Sequence, residues 1–278
     1  MDPLDPVITA LHSESRLRVW SLVITVFGDC VQHRGGAIST ARLGRLLGRI
    51  GVEPGALRTA LSRLGRDGWV DSARAGRLSH YRLSPSGLSR FTEATSRIYA
   101  PPRLTPVTEW ALSSEGTAQT AVPLGGLWLS PAQTAPPAAP LARPAFRLVG
   151  HITDLAPAMR DSLISPDHAT ALRHLHADLD SLAGIAGDPL PHAAARILLN
   201  HRWRRIVLRF AELPPELLPT DLAGQDVRDR VAAAYLHLTP GAEAWLDSAG
   251  DDMAPMPPAD ESLANRFRAA PPAKGLIS

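Results

Sequence analysis

Arg58, Thr59, Ser62, Arg63 and Arg66 fall three or four residues apart, so a helix would set them on one face. A guanidinium can donate two bonds to guanine O6 and N7, and a hydroxyl can reach a base edge or a phosphate. Such a face suits the major groove of DNA. Arg74 and Arg77 flank Gly76, where a turn would carry them against the minor groove or the sugar–phosphate backbone. The other reading is a solvated helix on which Arg63 and Arg66 pair with Asp67 or Glu53, an interaction of little energetic weight.

Other constellations carry less chemistry. His174 and His176 stand two apart and point different ways on a helix, so they are not a metal pair spaced i, i+4. The single cysteine, Cys30, rules out an internal disulfide framework and a cysteine-based zinc knuckle, and reads as a small buried apolar residue. No Gly-x-Ser-x-Gly elbow, phosphate loop or dinucleotide fingerprint occurs. The sequence therefore predicts no catalytic residues, no metal, no cofactor and no enzyme.

Apolar residues at Leu17, Trp20, Val23, Ile24, Phe27 and Val31 recur with helical spacing, and Gly35-Gly36 ends the run. Ser39-Thr40 can cap a second helix ending at Gly51. Pro54 suits the first turn of a third helix, which runs to about Asp67 and buries Leu57, Ala60, Leu61 and Leu64. Two extended runs, 69–74 and 78–83, form a hairpin about Gly76, and Ser84-Pro85 opens a further helix to Ile98. This order spells a winged helix-turn-helix over residues 14–98. A proline-bearing linker follows at 99–106, then short strands at 107–112, 126–130 and 146–152, with an irregular loop at 131–144. Helices are predicted at 167–183, 190–210 and 224–238, and a disordered tail at 248–278.

Charge is divided unevenly along the 278 residues. The first 100 carry 14 Arg against 8 acids, while the remainder has 15 basic residues against 19 acids. A basic excess confined to one small domain is what a phosphate-binding surface requires. Aromatic residues make up only 5%, which disfavours a large base-stacking surface. No run approaches the length of a membrane span and the acidic start is unlike a signal peptide, so a cytoplasmic protein without membrane contact is expected.

The chain resembles the PaaX-type repressors of phenylacetic acid catabolism. The resemblance lies in Ser21-Leu-Val-Ile-Thr-Val-Phe-Gly-Asp29, Leu57-Arg-Thr-Ala-Leu-Ser-Arg-Leu64 with Asp67-Gly-Trp69, and Gly76-Arg-Leu-Ser-His-Tyr-Arg-Leu83 before Ser84-Pro-Ser-Gly87. A second block is His201-Arg-Trp-Arg-Arg205 running on to Leu213-Pro-Pro-Glu-Leu-Leu-Pro-Thr-Asp221. The resemblance implies a homodimeric transcriptional repressor whose winged helix binds double-stranded DNA at a palindromic operator. It also implies an acyl-CoA-like effector, typically phenylacetyl-CoA, as the releasing ligand, and a ferredoxin-like domain similar to that of CRISPR-associated ribonucleases. Here that middle domain, 107–154, is reduced, with eight residues between Ser113 and Val122, and its first strand lacks the metal-binding Asp of the ribonucleases. The C-terminal domain, 155–247, is helical. The expected class is thus α+β in three parts.

Two readings stand for the cluster His201, Arg202 and Arg205. Paired guanidinium groups suit the phosphates of coenzyme A, which would make these the ligand-binding residues. Alternatively they bridge acids such as Glu212, Glu216 and Asp221, or face a second subunit. A different class of function also stands beside the repressor: a winged helix serving as a protein-interaction module or a nonspecific nucleic-acid tether. Competition with bulk DNA separates these, because nonspecific binding is lost to competitor.

Overall fold

Leu4, Val7 and Leu11 share one helical face and are buried, which makes Asp5–Glu14 an amphipathic helix, α1, ahead of the expected start of the first domain. A computed structural model describes residues 2–14, 18–75, 78–103, 105–117, 120–133, 146–224, 226–250 and 253–268. The chain is α+β, with two small antiparallel sheets among its described residues. It divides into two compact units: one of residues 1–102, 178–202 and 231–278, the other of 103–177 and 203–230.

In the first unit the apolar stripe becomes α2 (Val19–Val26), which continues through a π-helical turn, Phe27–Val31. Ser39 ends β1 (Ala37–Ser39) and caps α3 (Thr40–Arg49) by accepting from Arg42 N at 3.2 Å. Pro54 opens α4 (Pro54–Arg66), and Leu57, Ala60, Leu61 and Leu64 form its buried face as the spacing requires. β2 (Val70–Ala75) and β3 (Leu78–Leu83) pair from Val70↔Leu83 to Ala75↔Leu78, and β1 joins β3 to give the order β1-β3-β2.

Helix α5 (Pro85–Ile98) starts at Ser84, whose Oγ accepts from Gly87 N and donates to Gly68 O. A Cβ at Gly87 would lie 2.3 Å from the Trp69 carbonyl oxygen, a backbone atom with little freedom to yield. Gly87→Ala is therefore expected to destabilise the protein by roughly 1–3 kcal/mol. The urea midpoint should fall with an unchanged m-value; an unchanged midpoint would mean that the α5 start shifts freely.

In the second unit β4 (Trp110–Ser113), β5 (Val122–Leu124), β6 (Leu127–Pro131) and β7 (Arg147–Gly150) form a sheet of order β5-β6-β4-β7. Every neighbouring pair is antiparallel. β5, which the sequence reading omits, turns into β6 through Gly125-Gly126, with φ of 57° and 84°. Two consecutive positive φ values are what a two-residue hairpin turn needs and glycine supplies. No helix lies between Ser113 and Val122 among the described residues, and most of the expected irregular loop, 134–145, lies outside them. α6 (Pro157–Leu163) follows.

The expected helices appear as α7 (Pro166–Leu182), α8 (Pro189–Arg209) and α9 (Val227–Asp247). α9 runs nine residues past its expected end because Pro240 does not stop it. The proline removes one hydrogen bond to Leu236, which is exposed, while Ala242, Trp245 and Leu246 beyond it are buried.

The tail requires a correction. Residues 253–268 are packed, not disordered: Met253, Met256 and Phe267 are buried, and α10 (Glu261–Ala264) is capped by Asp260. Backbone bonds fasten it, from Met256 N to Leu246 O (3.0 Å), Asp260 N to His33 O (2.8 Å) and Phe267 N to Tyr99 O (2.9 Å). A few anchors and main-chain bonds hold it, and neither leaves a periodic signature in composition. The last ten residues lie outside the described part of the chain.

Candidate nucleic-acid interface

With its apolar side turned into the first unit, α4 presents Arg58, Thr59, Ser62, Arg63 and Arg66 together, all exposed. The Thr59 hydroxyl donates to Gly55 O at 3.1 Å. Arg63 Nε lies 3.4 Å from Asp67 Oδ2, an exposed i, i+4 pair of little strength, and its guanidinium sits 5.9 Å from the Trp20 ring. Arg58 and Arg66 have no ion-pair partner among the described residues. On the hairpin, Arg74 is exposed on β2, while Arg77 lies outside the described residues. The neighbouring Arg82 lies 3.9 Å from Asp71, again on the surface.

What holds this face is a buried polar frame in the same unit. α4 packs against α2, and the π-helical turn that continues α2 carries Asp29, which is fully buried. Its Oδ2 accepts from Arg196 Nε at 2.8 Å. Its Oδ1 accepts from the Tyr99 and Tyr235 hydroxyls, both at 2.9 Å, and from Asn200 Nδ2 and Arg266 Nη1, both at 3.2 Å. Arg266 also donates to the carbonyls of Gly28 and Asp29 and to the Tyr235 hydroxyl.

Burial alone would raise the Asp29 carboxyl, but Arg196, Arg266 and the two tyrosine hydroxyls outweigh it and hold it below the ordinary value. Burial pushes the Cys30 thiol beside it up to about 12, so this cysteine stays protonated and inert. Glu243 is likewise held low against its own burial, by His33, whose Nε2 is 3.3 Å away, and by Arg196, whose Nη1 is 2.7 Å away. Arg42 of α3 donates to the carbonyls of Trp245 (2.7 Å), Ser248 (2.5 Å) and Ala254 (3.0 Å), at and beyond the end of α9. Charged groups paired in this way stay charged near neutral pH and serve to fix geometry, not to exchange protons.

The sequence signature described as PaaX-like protein matches residues 18–87, and that of the PaaX-like protein C-terminal domain matches 186–248. The chain is 31% identical to the transcriptional repressor PaaX of Escherichia coli K12, over 95% of this chain and 94% of that protein. The chain belongs to the PaaX-like family. Among solved structures, an uncharacterised protein of Mycobacterium tuberculosis is similar with a TM-score of 0.46 and 22% identity, over 81% of this chain and 97% of that one.

In this PaaX-like chain the two matched regions meet at one carboxylate. Asp29 comes from the first, and Arg196, Asn200 and Tyr235 come from the second. Sequence reading singles out none of these side chains as a site. One signal was present: Asp29 interrupts an otherwise apolar helical run, and a buried acid demands a cation.

The cluster His201, Arg202 and Arg205 does not form one surface. His201 is buried with its Nδ1 3.1 Å from Thr25 Oγ1, and Arg202 pairs with the buried Asp178. Only Arg205 is exposed. Two of the three are thus engaged in packing, because α8 turns them inward with Leu198 and Leu199. Such placement speaks against one shared coenzyme A phosphate site on these three residues, and the acid that Arg202 meets, Asp178, is none of those expected.

Proposed function

We propose that this chain is a DNA-binding transcriptional repressor whose N-terminal part is a winged helix-turn-helix. The observation that carries the reading is the acid-free, exposed face of α4, backed by a buried frame and continued by the basic hairpin. In this reading α4 enters the major groove, where Arg58, Thr59, Ser62 and Arg63 meet base edges, and Arg66, Arg74 and Arg77 hold the phosphate backbone. Likeness over nearly the whole chain to a protein named as a transcriptional repressor supports the same reading.

Two copies acting on a palindromic operator would present two such helices one helical turn apart. The antiparallel order of the second unit's sheet fits a reduced ferredoxin-like domain, with no helix among the described residues of its first crossover. An acyl-CoA thioester such as phenylacetyl-CoA would release the operator only by binding the DNA-free conformation more tightly, since equal affinity shifts nothing.

A mobility-shift titration on DNA upstream of the protein's own gene, with excess nonspecific competitor, tests this. Specific retention that phenylacetyl-CoA abolishes is the expected outcome. Retention unaffected by the thioester would keep the repressor and discard the effector. Loss of all retention to competitor would leave only the tether or interaction module.

A further inference from the structure

Strand β7, an outer strand of the second unit's sheet, is exposed at every position. Phe146 beside it is 47% exposed, Leu148 58% and Val149 49%, the largest apolar exposures of any sheet in the described residues. Its inner edge is satisfied by β4 in the register Trp110↔Gly150, Leu112↔Leu148, continued by Ser114 N donating to Phe146 O at 3.0 Å. That bond between directly opposed residues makes Phe146, Leu148 and Gly150 the inward-bonding positions. The backbone N–H and C=O groups of Arg147 and Val149 therefore point off the sheet, unpaired among the described residues.

Soluble proteins usually blunt such an edge with an outward charge, a proline or a bulge. Residues 146–150 contain no proline, and the one charge, Arg147, folds back to donate to Ala132 O at 2.8 Å.

We propose that β7 pairs antiparallel with β7 of a second copy of this chain about a two-fold axis through Leu148, joining the two four-stranded sheets. The strand's own sequence argues for this occupant. In that register Arg147 lies opposite the partner's Val149 and Val149 opposite the partner's Arg147, so all the outward backbone groups are satisfied and no Arg faces its own copy. Centring the axis on Arg147 would oppose two like charges directly, a destabilising pair.

Leu148 meets the partner's Leu148 at a non-hydrogen-bonded position, where opposed side chains approach most closely. Phe146 falls opposite the partner's Gly150. A Cβ built on Gly150 meets nothing within 4 Å, so the space above it is open to a ring, and an aromatic laid over an edge glycine is a favourable cross-strand pair.

This inference rests on the two-copy reading above, and the experiment separates the two. Light scattering gives the mass of the native protein, and mild oxidation is applied to Leu148→Cys, Arg147→Cys and Val149→Cys, Cys30 being buried. Opposed non-hydrogen-bonded residues have Cα atoms about 4.5 Å apart, within disulfide reach. The expected result is a dimer that Leu148→Cys alone locks covalently, and that Leu148→Arg converts to monomer with its circular dichroism unchanged. A dimer that Leu148→Cys fails to lock, or that Leu148→Arg leaves intact, overturns the β7 interface and spares the two-copy reading. A native monomer overturns both.

Discussion

Asp29→Ala should cost about 3–5 kcal/mol, the usual penalty for removing one partner of a buried ion pair. The loss would take the Asp29 carboxylate from the buried Arg196 and Arg266 guanidinium groups, leaving Arg196 only the Glu243 carboxylate and Arg266 only neutral acceptors, and leave the hydroxyls of Tyr99 and Tyr235 without their acceptor. Against a typical stability of about 5–15 kcal/mol that is a large fraction. Asp29→Asn keeps the volume and an acceptor oxygen, so the part of the loss it reproduces belongs to the charge.

The pH dependence has a fixed sign. The folded protein holds the Asp29 carboxyl below its ordinary value of 3.8, so the stabilisation is complete above that value and disappears as pH falls through the lower, folded one. Urea unfolding at neutral pH should thus show the full gap between the native protein and Asp29→Asn, and a narrowing gap under strong acid. A gap that stays constant across that range, or a neutral-pH loss under 1 kcal/mol, would mean that the guanidinium groups find other partners.

The frame around Asp29 shows where sequence reading reaches its limit. Helix α4 was legible to its buried face, because Leu57, Ala60, Leu61 and Leu64 repeat with helical period and Pro54 marks the start. The hairpin was legible from two extended runs about Gly76, and α7 and α8 lie within one residue of the predicted 167–183 and 190–210 at each end. Arg266 was not, because an arginine in a stretch that carries prolines and a second arginine, Arg268, looks like any surface residue until its partner, 237 residues away, is known. The same holds for Arg42, which shares its helix with Arg45 and Arg49 yet is itself buried against carbonyls near the end of α9. His201 and Arg202 show the opposite error: basic residues adjacent in sequence look like an anion site, but helix geometry sends them into contacts already made. Local periodicity writes elements into a sequence, whereas long-range polar pairing leaves single residues without context.

Arg58→Ala and Arg63→Ala should each weaken specific operator binding by about 1–3 kcal/mol, roughly 5- to 150-fold, if each guanidinium donates two bonds to a guanine. Neither should move the unfolding midpoint appreciably. Arg58 has no ion-pair partner among the described residues, and the Arg63–Asp67 pair is more than half exposed on both sides. The two kinds of contact are separable by salt. Loss of a base contact relaxes preference at one operator position, whereas Arg66→Ala or Arg74→Ala should weaken all sequences alike and lower the salt slope by about one. If Arg58→Ala and Arg63→Ala also weakened every sequence equally, α4 would lie along the backbone and not in the groove. If they left binding untouched while Arg74→Ala abolished it, the hairpin would be the reading element, and the exposed face of α4 only a solvated helix.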